Sequence, residues 1–162
     1  MKEKLLIIVR HAHREILDRI ADNGLSARGQ IQANKIAEYF RVNFAAKKFK
    51  LYSSPRLRCK ETLAPLSLEL SEPVEISPLL DEGASGGRPE VERRVHEFKV
   101  WWERNAPDLI VICSHGDWIP YCLQALMGEY LEIRKGGLAE IQLKGSGARL
   151  KKILPPEELD LL

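Results

Sequence analysis

Residues 4–11 read KLLIIVRH and residues 109–116 read LIVICSHG. In each stretch five consecutive apolar residues run into a short polar segment that carries a histidine. A continuous apolar run of this length, rich in branched side chains, is expected of a strand buried on both faces. Such strands belong to parallel sheets covered by helices. In open sheets of that kind ligands bind beyond the carboxyl ends of the strands. Arg10-His11 and Ser114-His115 both stand at that position.

Outward from these two strands, helical and extended patterns alternate. Ala33, Ile36, Ala37, Phe40 and Phe44 recur at helical spacing, which predicts a helix over residues 26–44 with Ser26 as its N-cap. Residues 49–53 read as a second strand. Ser54 and Pro55 then read as the cap and first position of another helix, which Pro65 is expected to end or kink near Ala64. Residues 73–77 form a short weak strand and residues 81–88, DEGASGGR, a glycine-rich loop. Val91, Val95, Phe98 and Trp102 define an amphipathic helix over residues 90–103; Trp101 is its edge and Trp102 its core side. A helix after Gly116 buries Ile119, Cys122, Leu123 and Leu126, tolerates Pro120 in its first turn and stops at Gly128. Residues 138–143 and 150–154 read as closing strands around the turn Gly145-Ser146-Gly147, and Pro155-Pro156 ends the regular structure. With no internal repeat or linker, the expectation is one domain over residues 1–162. It is an α/β protein, a three-layer α/β/α sandwich around a central, mainly parallel mixed sheet.

Composition narrows the function. Hydrophobic residues are 44% and charged residues 30% of the 162, which is wrong for disorder and ordinary for a globular core. Twenty-five basic and 23 acidic residues leave a net charge of +2, no footprint for bulk nucleic-acid binding. The longest apolar runs are far short of a membrane span, and the five apolar residues after Lys4 are too few for a secretory signal. Three cysteines, Cys59, Cys113 and Cys122, form neither a C-x-x-C pair nor a closed disulfide set. A reducing, cytoplasmic setting is expected.

His11 and His115 differ from the other two histidines by their place at strand ends. His96 lies in a charged helix and reads as a solvated side chain, whereas His13, in a polar loop, is open to either reading. Ala12 and Gly116 are small enough for close backbone approach. Arg10 adjoins His11, and Arg58 lies at the start of the helix after Ser54. Two guanidiniums and two imidazoles suit a tetrahedral anion such as phosphate, and amides opening the helix after His115 would add donors. The basic stretch from Arg41 to Lys60 holds seven cations and no acid; it reads as a solvated face, or else as a rim that steers an acidic partner.

Four segments in order resemble the histidine phosphatase superfamily, the phosphoglycerate-mutase-like proteins. Ile7-Ile8-Val9-Arg10-His11-Ala12 looks like its R-H-G signature, and Asn23-Gly24-Leu25-Ser26-Ala27-Arg28-Gly29 like its P-L-T-x-x-G segment. Ser53-Ser54-Pro55-Arg56-Leu57-Arg58-Cys59-Lys60-Glu61-Thr62 is similar to S-S-P-x-x-R-x-x-Q-T, and Val111-Ile112-Cys113-Ser114-His115-Gly116 to V-x-H-G. The resemblance implies a phosphoglycerate-mutase-like fold and a metal-independent, cofactor-free phosphatase. His11 would be the nucleophile, with Arg10, Arg58, His115 and Gly116 around the phosphate. Phosphoryl transfer depends on positioning and charge clamping, which these residue types supply.

The departures bear on the substrate. Ala12 replaces the glycine, His13 stands where an acid is usual, and Leu17 where many members place an asparagine. Leu80-Asp81-Glu82 fits an L-x-E segment, so Glu82 is the first candidate proton donor, ahead of Asp81, with His13 open; a solvated loop carboxylate is the other reading. Phosphohistidine leaves as neutral imidazole and needs less help from an acid than an alkyl ester does. Only residues 13–26 and 77–89 can wall the pocket, which leaves it open to a protein-borne group. In this economy the chain resembles the short SixA-type phosphohistidine phosphatases. The expected substrate is a phosphohistidine protein. A small phosphomonoester, or phosphate binding without turnover, are the alternatives; no membrane or nucleic-acid partner is expected.

Overall fold

The computed structural model describes residues 3–145 and 147–161, with Asp160 and Leu161 described by their backbone alone. Six strands form one sheet: β1 (Lys4–Arg10), β2 (Lys50–Ser53), β3 (Val74–Ile76), β4 (Leu109–Ser114), β5 (Leu138–Lys144) and β6 (Gly147–Leu154). Their order is β3-β2-β4-β1-β5-β6. The first four are parallel to one another; on the β1 side β5 pairs antiparallel with β1, and β6 antiparallel with β5. Leu6 to Val9 and Ile110 to Cys113 are fully buried, as continuous apolar runs in a sheet covered on both faces must be. Ser146, in the expected hairpin turn, lies outside the described residues.

Four helices supply the outer layers: α1 (Ala27–Asn43), α2 (Leu57–Leu70), α3 (Gly87–Arg104) and α4 (Ile119–Met127). Ile7, Val9, Val111 and Cys113 face a core built with Ile36, Phe40, Leu63 and Leu66 of α1 and α2. Leu6, Ile8, Ile110 and Ile112 face the other core, with Val95, Phe98 and Trp102 of α3 and Ile119 and Leu123 of α4. The chain therefore leaves β1 toward one face and β4, its neighbour, toward the other. That divergence opens a crevice beyond the ends of β1 and β4. None of the described helices is long and apolar enough to cross a membrane.

Ser26 caps α1 as expected, its hydroxyl accepting from the Gly29 amide at 3.1 Å. Four other expectations are corrected. Ser54 does not cap α2; the helix begins at Leu57, whose amide donates to Asp22 Oδ1 (3.0 Å), and the Ser54 hydroxyl is engaged by His115. Of the two outcomes expected at Pro65, an end or a kink, the end is overturned: α2 runs on to Leu70, with buried Leu63 and Leu66 holding it against the sheet on either side. The glycine-rich segment forms a 3-10 turn at Ala84–Gly86, and α3 already starts at Gly87. The chain after Pro155 continues as a 3-10 helix, Pro156–Leu161.

The proline costs α2 the hydrogen bond that residue 65 would donate to Glu61, in a setting where a helix-interior proline is worth about 3 kcal/mol. Pro65→Ala is expected to stabilise the protein by roughly 1–2 kcal/mol, with some of the gain offset by a freer unfolded chain. At about 2–4 °C per kcal/mol for this size, a thermal scan should show a higher Tm. A lower Tm would mean that ring packing, not the lost bond, dominates at this position.

Candidate active site

The register pairs Arg10 with Ser114, and the His11 amide donates to the Ser114 carbonyl at 3.1 Å. The next residue on each strand is thus a histidine, and the two rings lie side by side with centroids 5.4 Å apart. Both are buried. They share a pocket of about 520 Å³ with Arg10, Arg58, Glu82 and Gly116. The six residues expected around the phosphate and at the proton transfer, Arg10, His11, Arg58, Glu82, His115 and Gly116, meet here.

The His11 ring has a defined tautomer. Its Nδ1 lies 2.9 Å from the Ala12 carbonyl oxygen, which can only accept, so Nδ1 carries the proton and Nε2 holds the lone pair. The Ala12 amide donates to Thr62 Oγ1 at 2.9 Å, which fixes the backbone that fixes the ring. Burial, with the charges of Arg58 and Arg10 adding to it, lowers the His11 pKa to about 3 despite the opposing bond to Ala12. Burial lowers His115 to about 2, assisted by His11, Arg58, Arg56 and Arg10. Both imidazoles are therefore neutral at neutral pH.

His115 turns its Nε2 to Ser54 Oγ (2.7 Å) and its Nδ1 toward the pocket, 3.4 Å from Arg58 Nη2 and 3.8 Å from Glu82 Oε2. A serine hydroxyl both donates and accepts and so meets Nε2 in either tautomer, whereas the guanidinium opposite Nδ1 only donates, which makes Nδ1 the acceptor until an anion enters. Arg10 is tethered by Nη1 to the Ile133 carbonyl (2.9 Å). Gly116 makes room for it: a Cβ there would stand 2.6 Å from Arg10 Nη2. The Nε atoms of Arg10 and Arg58 are buried without a hydrogen-bond partner. Buried unpaired donors cost on the order of 1–3 kcal/mol each, more when charged.

The two carboxylates of the L-x-E segment separate. Glu82 lines the pocket, with Oε2 2.6 Å from Arg58 Nη2, whereas Asp81 turns away to Arg56 Nε (3.0 Å) and holds the Glu82 amide (2.8 Å). His13 does not line the pocket; its Nδ1 meets Ser26 Oγ at 2.6 Å beside α1. The expected amide donors at the start of α4 are spent in part, since Trp118 and Ile119 both donate to the His115 carbonyl. The basic stretch also breaks up: Arg41 pairs with Glu38 and Glu69, Lys50 with Glu72 and Arg56 with Asp81, while Arg58 alone enters the pocket.

Arg14, Asp117, Glu132 and Lys135 also line the pocket and were not found by sequence reasoning. Glu132 and Lys135 come from residues 128–137, between α4 and β5. Because β5 is antiparallel, its first residue lies at the pocket end of the sheet, and the preceding segment must climb there. Gly136, at φ +78°, donates to the Arg10 carbonyl (3.2 Å) and tightens this segment against the site. The signal available was the strand direction of residues 138–144, which the apolar pattern leaves open.

A family model described as histidine phosphatase superfamily (branch 1) matches residues 6–109, more than half of the chain. No curated protein matches it. Among solved structures, the protein histidine phosphatase SixA complexed with tungstate superposes with a TM-score of 0.77 at 20% identity, covering 96% of this chain and 99% of that one. A phosphoserine phosphatase mutant from Entamoeba histolytica, in complex with phosphoserine, has a TM-score of 0.75 at 16% identity, with 96% and 99% covered. A mycobacterial glucosyl-3-phosphoglycerate phosphatase has a TM-score of 0.73 at 15% identity, with 95% and 100% covered. At these identities the likeness is one of fold.

The neutral histidines make a stability prediction. In the unfolded chain both protonate near pH 6.5, but in the folded chain only near pH 3 and 2. Between these limits the unfolded state binds more protons, so stability falls as pH drops below about 6.5, by up to about 1.4 kcal/mol per pH unit for each histidine. Replacing both (His11→Asn with His115→Asn) should flatten the slope of urea-unfolding free energy between pH 6 and 4. Equal slopes in the two proteins would refute the reading of the rings as buried and neutral.

Proposed function

The chain belongs to the histidine phosphatase superfamily, and we propose that it is a phosphatase working through this pocket, with His11 as nucleophile and a phosphorylated His11 as intermediate. One observation carries the reading: a neutral imidazole with its proton held on Nδ1 by a carbonyl, so that Nε2 is free, in a pocket that two guanidiniums also line. In the first step the Nε2 lone pair attacks phosphorus. A P–N bond forms as the bond to the leaving group breaks in line, and the leaving group departs with its electron pair. Arg10, Arg58 and His115 clamp the remaining oxygens; His115 takes the tautomer with Nδ1–H toward the anion while Ser54 donates to Nε2.

Glu82 is the proton-transfer group of this scheme. Displaced from Arg58 by the phosphoryl group, its carboxylate takes up a proton from solvent, gives it to an alkoxide leaving group, then takes one from the water that attacks phospho-His11. Cleavage of that P–N bond releases inorganic phosphate and restores the Nε2 lone pair. Gly116 keeps the place of the Arg10 guanidinium open, and Asp81 positions Glu82 through its amide. The scheme uses no metal or cofactor.

The substrate class favoured is a phosphohistidine borne on a protein. Leu17 and Ile20, each 97% exposed, stand on the segment that continues from the pocket residue Arg14, where a protein surface would cover them. A small phosphomonoester is the second reading, favoured by Glu82 reaching into the pocket, since an alkoxide needs a proton donor. Three buried free thiols, Cys59, Cys113 and Cys122, fit a reducing, cytoplasmic setting.

His11→Ala is expected to abolish turnover of an aryl phosphate and of a phosphohistidine protein, and to remove acid-labile labelling of the chain. Wild-type turnover should be unchanged by a chelator. Leu17→Ser with Ile20→Ser should lower kcat/KM on the phosphoprotein about tenfold and leave the aryl phosphate within twofold. Full activity of His11→Ala would sink the mechanism, and equal effects on both substrates would sink the protein-borne reading.

Glu82→Gln provides a separate reading of the leaving group. Proton transfer by a positioned acid is worth about 10²–10⁴-fold, so alkyl-phosphate turnover should fall by that order while phosphohistidine cleavage loses less. If both fall alike, Glu82 serves the second, hydrolytic step rather than the first.

A further inference from the structure

We propose, resting on the reading of Glu82 as the proton-transfer group, that Asp117 is its positioning residue: the bond from the Gly83 amide to Asp117 sets Glu82 at a fixed place relative to the anion that His115 holds. The Gly83 amide donates to Asp117 Oδ2 at 2.8 Å. Asp117 stands two residues after His115, and Gly83 directly follows Glu82. This one bond therefore joins the segment that clamps the phosphate to the segment that carries the acid.

Residues 81–83 lie between two short 3-10 turns, Pro78–Leu80 and Ala84–Gly86, outside the sheet. Backbone groups without a ladder need other partners, and here side chains provide them. The Trp118 indole N–H donates to the Leu79 carbonyl (2.8 Å) and the Ser114 hydroxyl to the Leu80 carbonyl (2.6 Å). Arg94 donates to the Glu82 carbonyl (2.6 Å), while Asp81 accepts from the Glu82 amide and Asp117 from the Gly83 amide. Ser114, Asp117 and Trp118 flank His115, so the acid-bearing segment is fastened along the segment of the phosphate clamp. Gly83 is pressed from α3 as well: a Cβ there would stand 2.8 Å from Val91 Cγ2 and 2.9 Å from the Gly87 carbonyl oxygen. The residue after the acid is thus held by packing against α3 and by the Asp117 carboxylate.

Once a phosphoryl group displaces Glu82 from Arg58, the carboxylate is placed by its backbone, and a misplacement of about 1 Å can cost on the order of 10²-fold in rate. An aspartate just ahead of a helix commonly caps its amides. Asp117 does not cap α4: the Trp118 and Ile119 amides go to the His115 carbonyl, and the carboxylate reaches Gly83 instead. Its charge has a separate effect, since burial lowers the Arg10 pKa and Glu132, then Asp117, oppose that. Bond and charge can be told apart, because asparagine keeps an acceptor oxygen and loses the charge.

The test measures kcat/KM, which reports phosphoryl transfer to His11 rather than the later hydrolysis, for aryl phosphates running from dinitrophenyl to methoxyphenyl. Dinitrophenolate leaves without a proton, whereas methoxyphenolate gains from a positioned acid. The proteins compared are wild type, Asp117→Ala, Asp117→Asn, Glu82→Gln and Asp117→Ala with Glu82→Gln. Asp117→Ala is expected to lose about tenfold more on the methoxyphenyl than on the dinitrophenyl ester, and Asp117→Asn less than about threefold more. With Glu82→Gln there is no acid to place, so adding Asp117→Ala should change the ratio of the two esters by less than about twofold. Should Asp117→Ala fail to fold, Asp117→Ser, whose hydroxyl stops one bond short, is read in its place. A merely structural role lowers turnover of both esters alike and overturns the inference. So does a loss in Asp117→Asn equal to that in Asp117→Ala, or an Asp117→Ala effect that persists without Glu82. In each of these cases the acid reading stands if Glu82→Gln itself lowers the ratio. If Glu82→Gln leaves the ratio as in wild type, the acid reading fails and the positioning role with it.

Discussion

The rest of this molecule depends on the parallel pairing of β1 with β4 in the register that sets Arg10 opposite Ser114. A shift of one residue would turn Ile7 and Val9 to the wrong core and carry His11 away from His115, because strand side chains alternate faces. The same alternation that divides the apolar residues between the two cores therefore aligns the imidazoles. Packing energy fixes the register, and the chemistry inherits it. Forcing side chains into a core shaped for others costs typically about 1–3 kcal/mol each, so a slip that misplaces several of them is excluded by stability alone.

The site is built on a tension between burial and charge. Two imidazoles sit among guanidiniums in surroundings that disfavour any further positive charge, and both respond by staying neutral. For His11 that is the reactive state, since only an unprotonated Nε2 has a lone pair to offer. The unpaired Nε atoms of Arg10 and Arg58 are the other side of the tension. A bound oxyanion relieves the positive field of the two guanidiniums that line the pocket.

Much of this was legible in the sequence because it is local. Apolar runs ending in Arg10-His11 and Ser114-His115 reveal strand ends, and the spacing from Ala33 to Phe44 reveals α1 down to its Ser26 cap. What was not legible depends on contacts between distant segments. Ser54 has the composition of a cap, yet His115 from another strand takes its hydroxyl, and Asp22, from the loop before α1, takes over the α2 amide. Pro65 reads as a helix terminator until the burial of Leu63 and Leu66 is known. Lys135 and Glu132 reach the pocket only because β5 runs antiparallel, and no local pattern encodes a strand's direction.

The division between Asp81 and Glu82 shows how such distant contacts sort chemically equal residues. Adjacent carboxylates on an extended segment must point apart, so one of the pair is available to the pocket and the other to its surroundings. Arg56 stands between them, its Nε 3.0 Å from Asp81 Oδ1 and 3.5 Å from Glu82 Oε1, while Glu82 Oε2 goes on to Arg58. Arg94 fixes the same segment from α3, donating to the Glu82 carbonyl at 2.6 Å. Glu82 is thereby delivered to Arg58 by a backbone tethered at both neighbours, and it makes the one ion pair there that an entering phosphoryl group must share. In the proposed scheme the acid is attached to residues 81–83, so access of the leaving group and placement of the acid are coupled through a single short segment.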